Sequence, residues 1–163
     1  MPEKATIERA RRDKRQGKSA STQAGEFVRE EMEHIRHGKH GARSARQAIA
    51  IGLSKARRAG VDLPAPAPGT TSEQTRRKAR QDSAAGHHPH AASRTRSGAT
   101  SRALKREGRA AASHRALSKQ ARSAAARRSP GSRSAAARKA ARTKGPAERS
   151  AAARKAARTR HNA

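Results

Sequence analysis

The sequence predicts a small all-α helical module, a helical hairpin or a helix-turn-helix-like arrangement, followed by a long intrinsically disordered basic tail with conditional helices. Three observations lead there. Lys and Arg number 40 against 12 acids, for a net charge of +28. The excess grows along the chain: beyond Leu63, 25 basic residues face only Glu73, Asp82, Glu107 and Glu148. The large apolar residues run the other way, leaving only Leu104 and Leu117 after Leu63. Two leucines in a hundred residues bury too little surface to offset the entropy of ordering them, so the expectation for residues 87–163 is disorder in isolation.

Residues 1–20 read as a basic N-terminal arm with a helix from about Thr6 to Gln16, ended by Gly17 and supported mainly by propensity and charge pairs. The module spans residues 21–63. Ser21-Thr22 offers a cap for a helix to His37, stopped at Gly38. Its apolar face holds Ala24, Phe27, Val28, Met32 and Ile35, with Glu26, Glu30 and Glu33 opposite. After the glycine-bracketed stretch Gly38–Arg43, Ser44 and Gln47 form a capping box. The helix it opens, Ala45–Ala59, closes at Gly60, with Val61 placed for the contact of a Schellman end. Its inner face is Ala45, Ala48, Ile49, Leu53 and Ala56. The expected core is Phe27, Val28, Met32, Ile35, Ile49 and Leu53. So few large side chains make a marginal module, one that a second copy of residues 21–63 or a bound polyanion would help to order.

Residues 64–71 form a proline-rich linker of polyproline character. Residues 72–86 follow as a basic helix with only alanines to pack, and residues 87–163 as the tail. The tail contains a repeat. Residues 133–143 read RSAAARKAART, residues 149–159 repeat them without change, and residues 122–127 hold a truncated copy. Lys-Gly-Pro-Ala-Glu separates the full copies and breaks the helix. Alanine favours helix in each copy while like charges oppose it, hence the expectation of helices that form on neutralisation.

The lack of cysteine excludes disulfides, thiolate zinc fingers and thiol catalysis. No apolar run matches a secretory core or a membrane span, so the expected setting is cytoplasmic and without membrane contact. No carboxylate pair, nucleophile constellation or phosphate-cradling glycine loop is apparent, and no enzyme activity or cofactor is expected. His34, His37 and His40 suggest a metal cluster, as does His87-His88-Pro-His90. Gly38 and the helix end interrupt the first set and the second sits in a linker, so neither is expected to hold a metal.

A polycation of this density calls for a polyanionic partner, because phosphate neutralisation with counterion release needs charge but no particular fold. The candidate phosphate contacts are Arg76, Arg77, Lys78 and Arg80 in the basic helix. In the tail they are Arg127, Arg128, Arg133, Arg138, Lys139, Arg142, Lys144, Arg149, Arg154, Lys155, Arg158 and Arg160. Arg138/Arg142 and Arg154/Arg158 lie four apart, on one side of a helix. In the module, Arg46, Lys55, Arg57 and Arg58 are candidates for phosphate. Gln47 and Ile51 either face a groove or, for Ile51, pack on the first helix or a second copy. The acidic stripe is either a solvated face or a docking site for tail arginines. Arginine suits narrow minor grooves, and the missing base-stacking aromatics count against specific single-strand recognition. DNA is the favoured partner over RNA, although counterion release itself is blind to the sugar. The expected function is non-catalytic, largely sequence-independent DNA binding or condensation in the nucleoid. The alternatives are an RNA- or ribosome-associated basic protein and a protein-binding helical module with an incidental tail.

Residues 21–32 (STQAGEFVREEM), 38–44 (GKHGARS) and 47–60 (QAIAIGLSKARRAG) resemble a small bacterial family without an assigned activity. Its members look like short cytoplasmic proteins, sometimes described as DNA-binding, with basic low-complexity tails. The resemblance covers about residues 3–64 and implies no catalytic residues. The Ala/Arg/Lys tail is similar to those of bacterial histone H1-like proteins, although those are Lys-rich and this one is Arg-rich.

Overall fold

The computed structural model describes residues 2–88 and 93–161. They hold seven α-helices: α1 (Lys4–Arg15), α2 (Ala20–Arg36), α3 (Ala45–Arg58), α4 (Glu73–His87), α5 (Arg94–Lys105), α6 (His114–Ala126) and α7 (Pro130–His161), with a 3-10 turn at Ala110–Ala112. The chain divides into two compact units, residues 1–120 and 121–163.

In the first unit α2 and α3 form the expected helical pair, with α1 packed on α2, α4 on α3, and the 110–112 turn against both central helices. Glycine ends three of the helices in the left-handed conformation, Gly17, Gly38 and Gly60 having φ of 69°, 75° and 83°. At the last of these, Val61 N–H donates to Ala56 O at 3.1 Å, the Schellman pattern that the sequence suggests. Ser44 accepts from Gln47 N–H, while the Gln47 amide oxygen accepts from Arg43 N–H, so the capping box closes one residue further out than expected. At α2 the cap is Ser19, not Ser21 or Thr22, and its side chain bonds their hydroxyls. At α4 it is Ser72, accepting from Thr75 N–H.

The core is two small apolar clusters joined by small residues. One gathers Ala10, Ala24, Phe27, Ala56 and Val61, flanked by Ile7 and Leu53. The other gathers Met32, Ile35, Ala42, Ala48, Ala111 and Ala112, flanked by Val28, Ile49 and Leu117. Phe27, Met32 and Ile35 are buried, whereas Val28, Ile49 and Leu53 are half-buried, and so is Ile51. Between the clusters α3 meets α2 backbone to backbone: a Cβ at Gly52 would lie 2.7 Å from Val28 Cα. Alanine and glycine thus let the helices approach where bulk is lacking, and close approach maximises dispersion contact.

The expectation of a long intrinsically disordered tail is overturned. Helix occupies α5, α6 and α7, to His161. Local backbone hydrogen bonding and alanine propensity supply a helix without a large core, a contribution that the charge argument underweighted. Residues 104–117 are moreover built into the first unit. Gly41 N–H donates to Leu104 O at 2.9 Å, Ala42 N–H to Gly108 O at 3.1 Å, and Arg36 Nε to Ala112 O at 3.1 Å. The approach at Gly41 admits no side chain, since a Cβ there would lie 1.9 Å from Glu107 O. In the second unit α7 is interrupted at Gly145 (φ 63°, ψ 171°) before Pro146, so each full repeat occupies its own helical half, as the intervening breaker suggests.

The crossing at Gly52 yields a paired prediction. Gly52→Ala should lower the unfolding free energy by about 2 kcal/mol, the cost of forcing a methyl group into a packed contact. Gly25→Ala, where a Cβ meets nothing within 4 Å inside the same helical pair, should raise it by up to about 1 kcal/mol. Urea denaturation followed by circular dichroism checks both. A neutral Gly52→Ala would show that the two helices are not in close contact.

Candidate nucleic-acid interface

The cations proposed from the sequence fall into two groups, those spent on the fold and those left facing outward. In the first unit most are spent. Lys55 on α3 reaches two buried carboxylates of α2, its Nζ lying 2.6 Å from Glu31 Oε2 and 3.4 Å from Glu30 Oε1. Arg57 is buried and donates to the Leu63 and Pro64 carbonyls at 3.2 and 3.1 Å, pinning the start of the proline-rich segment. Its burial lowers the guanidinium pKa, with Asp82 opposing. Arg76 donates to Pro66 O at 3.2 Å and pairs with Glu73, which also meets Arg80 at 3.2 Å.

Asp82 organises the remainder. It is buried between α3 and α4, where its carboxylate takes hydrogen bonds from Ser54, from Arg58 Nε at 2.8 Å and from Lys78 Nζ at 3.1 Å. Of the two proposed phosphate contacts here, Arg58 thus holds α4 to α3, together with Ser54, while Lys78 pairs with Asp82 within α4. Only Arg46 and Arg77 among the first unit's candidates are exposed without a partner, and Gln47 is occupied by its cap. The signal for Asp82 in the sequence is an acid in the middle of a basic helix, aligned with Lys78 one turn before it.

The acidic stripe is largely taken up within the first unit, with Glu33 half-exposed and paired along α2. Glu30 is buried and accepts from Glu3 N–H at 3.1 Å, Glu26 meets Arg9 at 2.6 Å, and Glu33 meets Arg29 at 3.1 Å. The reason is α1, which packs on the side of α2 that a two-helix hairpin would leave open. Beside it Glu3 pairs with Lys39 at 2.8 Å and His34 at 2.9 Å; these hydrogen bonds, Lys39 first, hold its carboxyl down to about 2.

Of the histidines, His34 and His40 are brought together, with ring centroids 6.0 Å apart and edge to face. The left-handed turn at Gly38 folds the chain back so that His40 returns to α2, while His37 stays outside and exposed. In the other set, His87 faces Asp62 at 3.6 Å and His90 lies outside the described residues.

The second unit is the opposite case. Thirteen Lys and Arg residues share it with one acid, Glu148. No ion pair forms among its described residues. Arg127 donates to Ser123 Oγ and Arg133 to Arg128 O. Arg128, Arg138, Lys139, Arg142, Arg149, Arg154, Lys155, Arg158 and Arg160 are all exposed, and the Lys144 side chain lies outside what is described. Arg138, Lys139 and Arg142 share one side of the first half of α7, as do Arg154, Lys155 and Arg158 in the second half.

Comparison with protein-family models, curated proteins and solved structures finds no significant match. Among the described residues no helix is long and apolar enough to cross a membrane.

Asp82 has a consequence in acid. Burial alone would raise its pKa, but the hydrogen bonds from Ser54, Lys78 and Arg58 outweigh burial and hold it below the ordinary value. A carboxyl with a depressed folded pKa stabilises above its unfolded pKa of about 3.9, and that contribution fades as pH falls through the folded value. Stability should therefore be flat above about pH 4 and fall below it, with Asp82→Asn removing this part of the slope. At neutral pH the substitution should cost about 1–2 kcal/mol, discounted for the half-exposed Arg58 and Lys78. Denaturation midpoints measured across the acid range for both chains test the assignment.

Proposed function

We propose that this protein binds and condenses duplex DNA without catalysis and largely without regard to sequence, as a nucleoid-associated, histone-like protein whose contacts come mainly from residues 121–161. One observation carries the reading: the exposed cations described in the second unit have no acidic partners, whereas of the eight candidate phosphate contacts in the first unit only Arg46 and Arg77 are exposed without a partner. Unpaired surface cations cost little to bring to phosphate, and each one engaged releases a counterion. Their helical presentation favours DNA over RNA. A helix fits the roughly 12 Å major groove of B-form DNA, whereas the A-form major groove is deep and too narrow for side chains to enter.

Salt dependence tests it. With Arg138, Lys139, Arg142, Arg154, Lys155 and Arg158 all changed to Gln in the full chain, the slope of log affinity against log salt should become shallower by about five units, at about 0.9 per phosphate contact. Glutamine preserves helix propensity, so circular dichroism should remain unchanged. Arg46→Gln with Arg77→Gln should shift the slope by about two units at most. An unchanged slope in the six-residue variant would remove α7 from the interface. Equal affinity for duplex RNA would overturn the preference for DNA.

A further inference from the structure

We propose that Glu31, His34 and His40 form a binding site for a divalent transition-metal ion of the zinc class, fastening the 38–43 loop to α2. One ligand atom from each residue lies within 4.8 Å of the other two. Glu31 and His34 are one turn apart on α2, and His40 is returned to them by the turn at Gly38.

Glu31 is fully buried, and neither of its carboxylate oxygens accepts a hydrogen bond. Lys55 Nζ approaches Oε2 at 2.6 Å and offsets charge, but without hydrogen-bond geometry. A buried carboxylate left in this state is costly, and such a group marks a place where something else belongs.

The other oxygen faces His40. His40 Nδ1 lies 3.1 Å from the Gly41 carbonyl, which can only accept, so Nδ1 carries a proton. In the neutral ring the lone pair is then on Nε2, which lies 3.3 Å from Glu31 Oε1. Two acceptors face each other at a distance that invites a cation between them. Two ligands held about 2.0–2.1 Å from a tetrahedral zinc ion are themselves about 3.3–3.4 Å apart.

The surroundings have the form that metal-binding histidines take. The Nδ1 proton of His40 is engaged by a backbone carbonyl, and His34 is oriented by the Glu3 carboxylate at 2.9 Å. Glu3, Glu30 and Glu31 place three carboxylates beside only two ammonium groups, Lys39 and Lys55, so the cluster is one positive charge short with neutral histidines. Ligation through Glu31 Oε1 leaves Lys55 on Oε2. Both rings retain an exposed edge, at 13% for the His34 side chain and 17% for His40, which gives an ion a way in and water a fourth position. Two imidazoles and one carboxylate suit zinc and its neighbours in preference to calcium or magnesium. Because Gly41 and Ala42 also hold the backbone at residues 104 and 108, metal binding would stabilise that junction as well.

Chelator-buffered Zn2+ titration of the full chain, read by calorimetry and by thermal unfolding, tests the site. One ion per chain should bind and raise the unfolding midpoint. His40→Ala and Glu31→Gln should each weaken binding on the order of 100-fold or more, whereas His37→Ala and the double variant His87→Ala with His88→Ala should not. Co2+ should give the intense visible absorption of a tetrahedral site, and His40→Ala should abolish it. If Glu31→Gln fails to fold, His34→Ala and His40→Ala decide the matter, each checked by circular dichroism. No binding above the chelator background would overturn the proposal, as would equal affinity in His40→Ala or loss confined to the His87/His88 variant.

Discussion

The approach of α3 to α2 at Gly52 and Val28 is the constraint on which the first unit depends. With so few large apolar side chains, two helices can bury enough surface only by bringing their backbones together, and Gly52 flanked by Ala48 and Ala56 allows it. That crossing brings Lys55 over α2 within reach of Glu30 and Glu31. It also leaves α3 with a second face, on which α4 docks through Asp82. The ion pairs do not drive this packing. Burying charge costs several kcal/mol per ion before pairing repays it, so such clusters persist where the surrounding helices are already held in place. They instead fix register, since a shift of one residue would strand two buried carboxylates.

The helices of the module could be read in the sequence because each carries its own local signals. Glycines 17, 38 and 60 mark three ends, Ser44 and Gln47 mark a start, and the spacing of Phe27, Met32 and Ile35 marks the buried face of α2. Periodicity sees one face per helix, however, and α2 has two. With α1 on one side and α3 on the other, Glu30 is enclosed although it lies off the apolar arc, and Glu31, four residues from both Phe27 and Ile35, lies within it. The spacing of Ala48, Gly52 and Ala56, four apart on one face, was the available sign of a close crossing. Nothing local announces that Gly41 lies against Glu107, because that contact joins residues far apart in the chain. The same holds for Glu31 and His40, which meet only once the Gly38 turn has reversed the chain.

The C-terminal residues expose a different limit of composition. A scarcity of large side chains excludes a conventional core, and unit 121–163 indeed buries almost nothing. It does not exclude helix, whose hydrogen bonds are made within the segment and whose alanines lose little entropy. Alanine also contributes to packing where the backbone comes close. Ala111 and Ala112 are buried at 5% and 1% exposure in a stretch with one leucine nearby, which hydrophobicity alone would assign to solvent.

Net charge is therefore a poor guide to which surface meets a polyanion. The first unit has 27 of the 40 basic residues, yet Lys55, Arg57, Arg58, Arg76 and Lys78 are already occupied. To give any of them to phosphate the protein would have to surrender a buried carboxylate's partner or a pinned carbonyl, so their apparent charge is not available at the surface. Residues 121–163 have fewer cations but almost no acid, and their charge is available without rearrangement. The acids of the folded unit thus occupy the cations at its helix crossings, and they leave one cluster, around Glu31, short of positive charge. Cation excess at one end of the chain and local cation deficit at the other arise from a single fact of distribution: 11 of the 12 acids lie before Ala121, where the helices are packed closely enough to bury them.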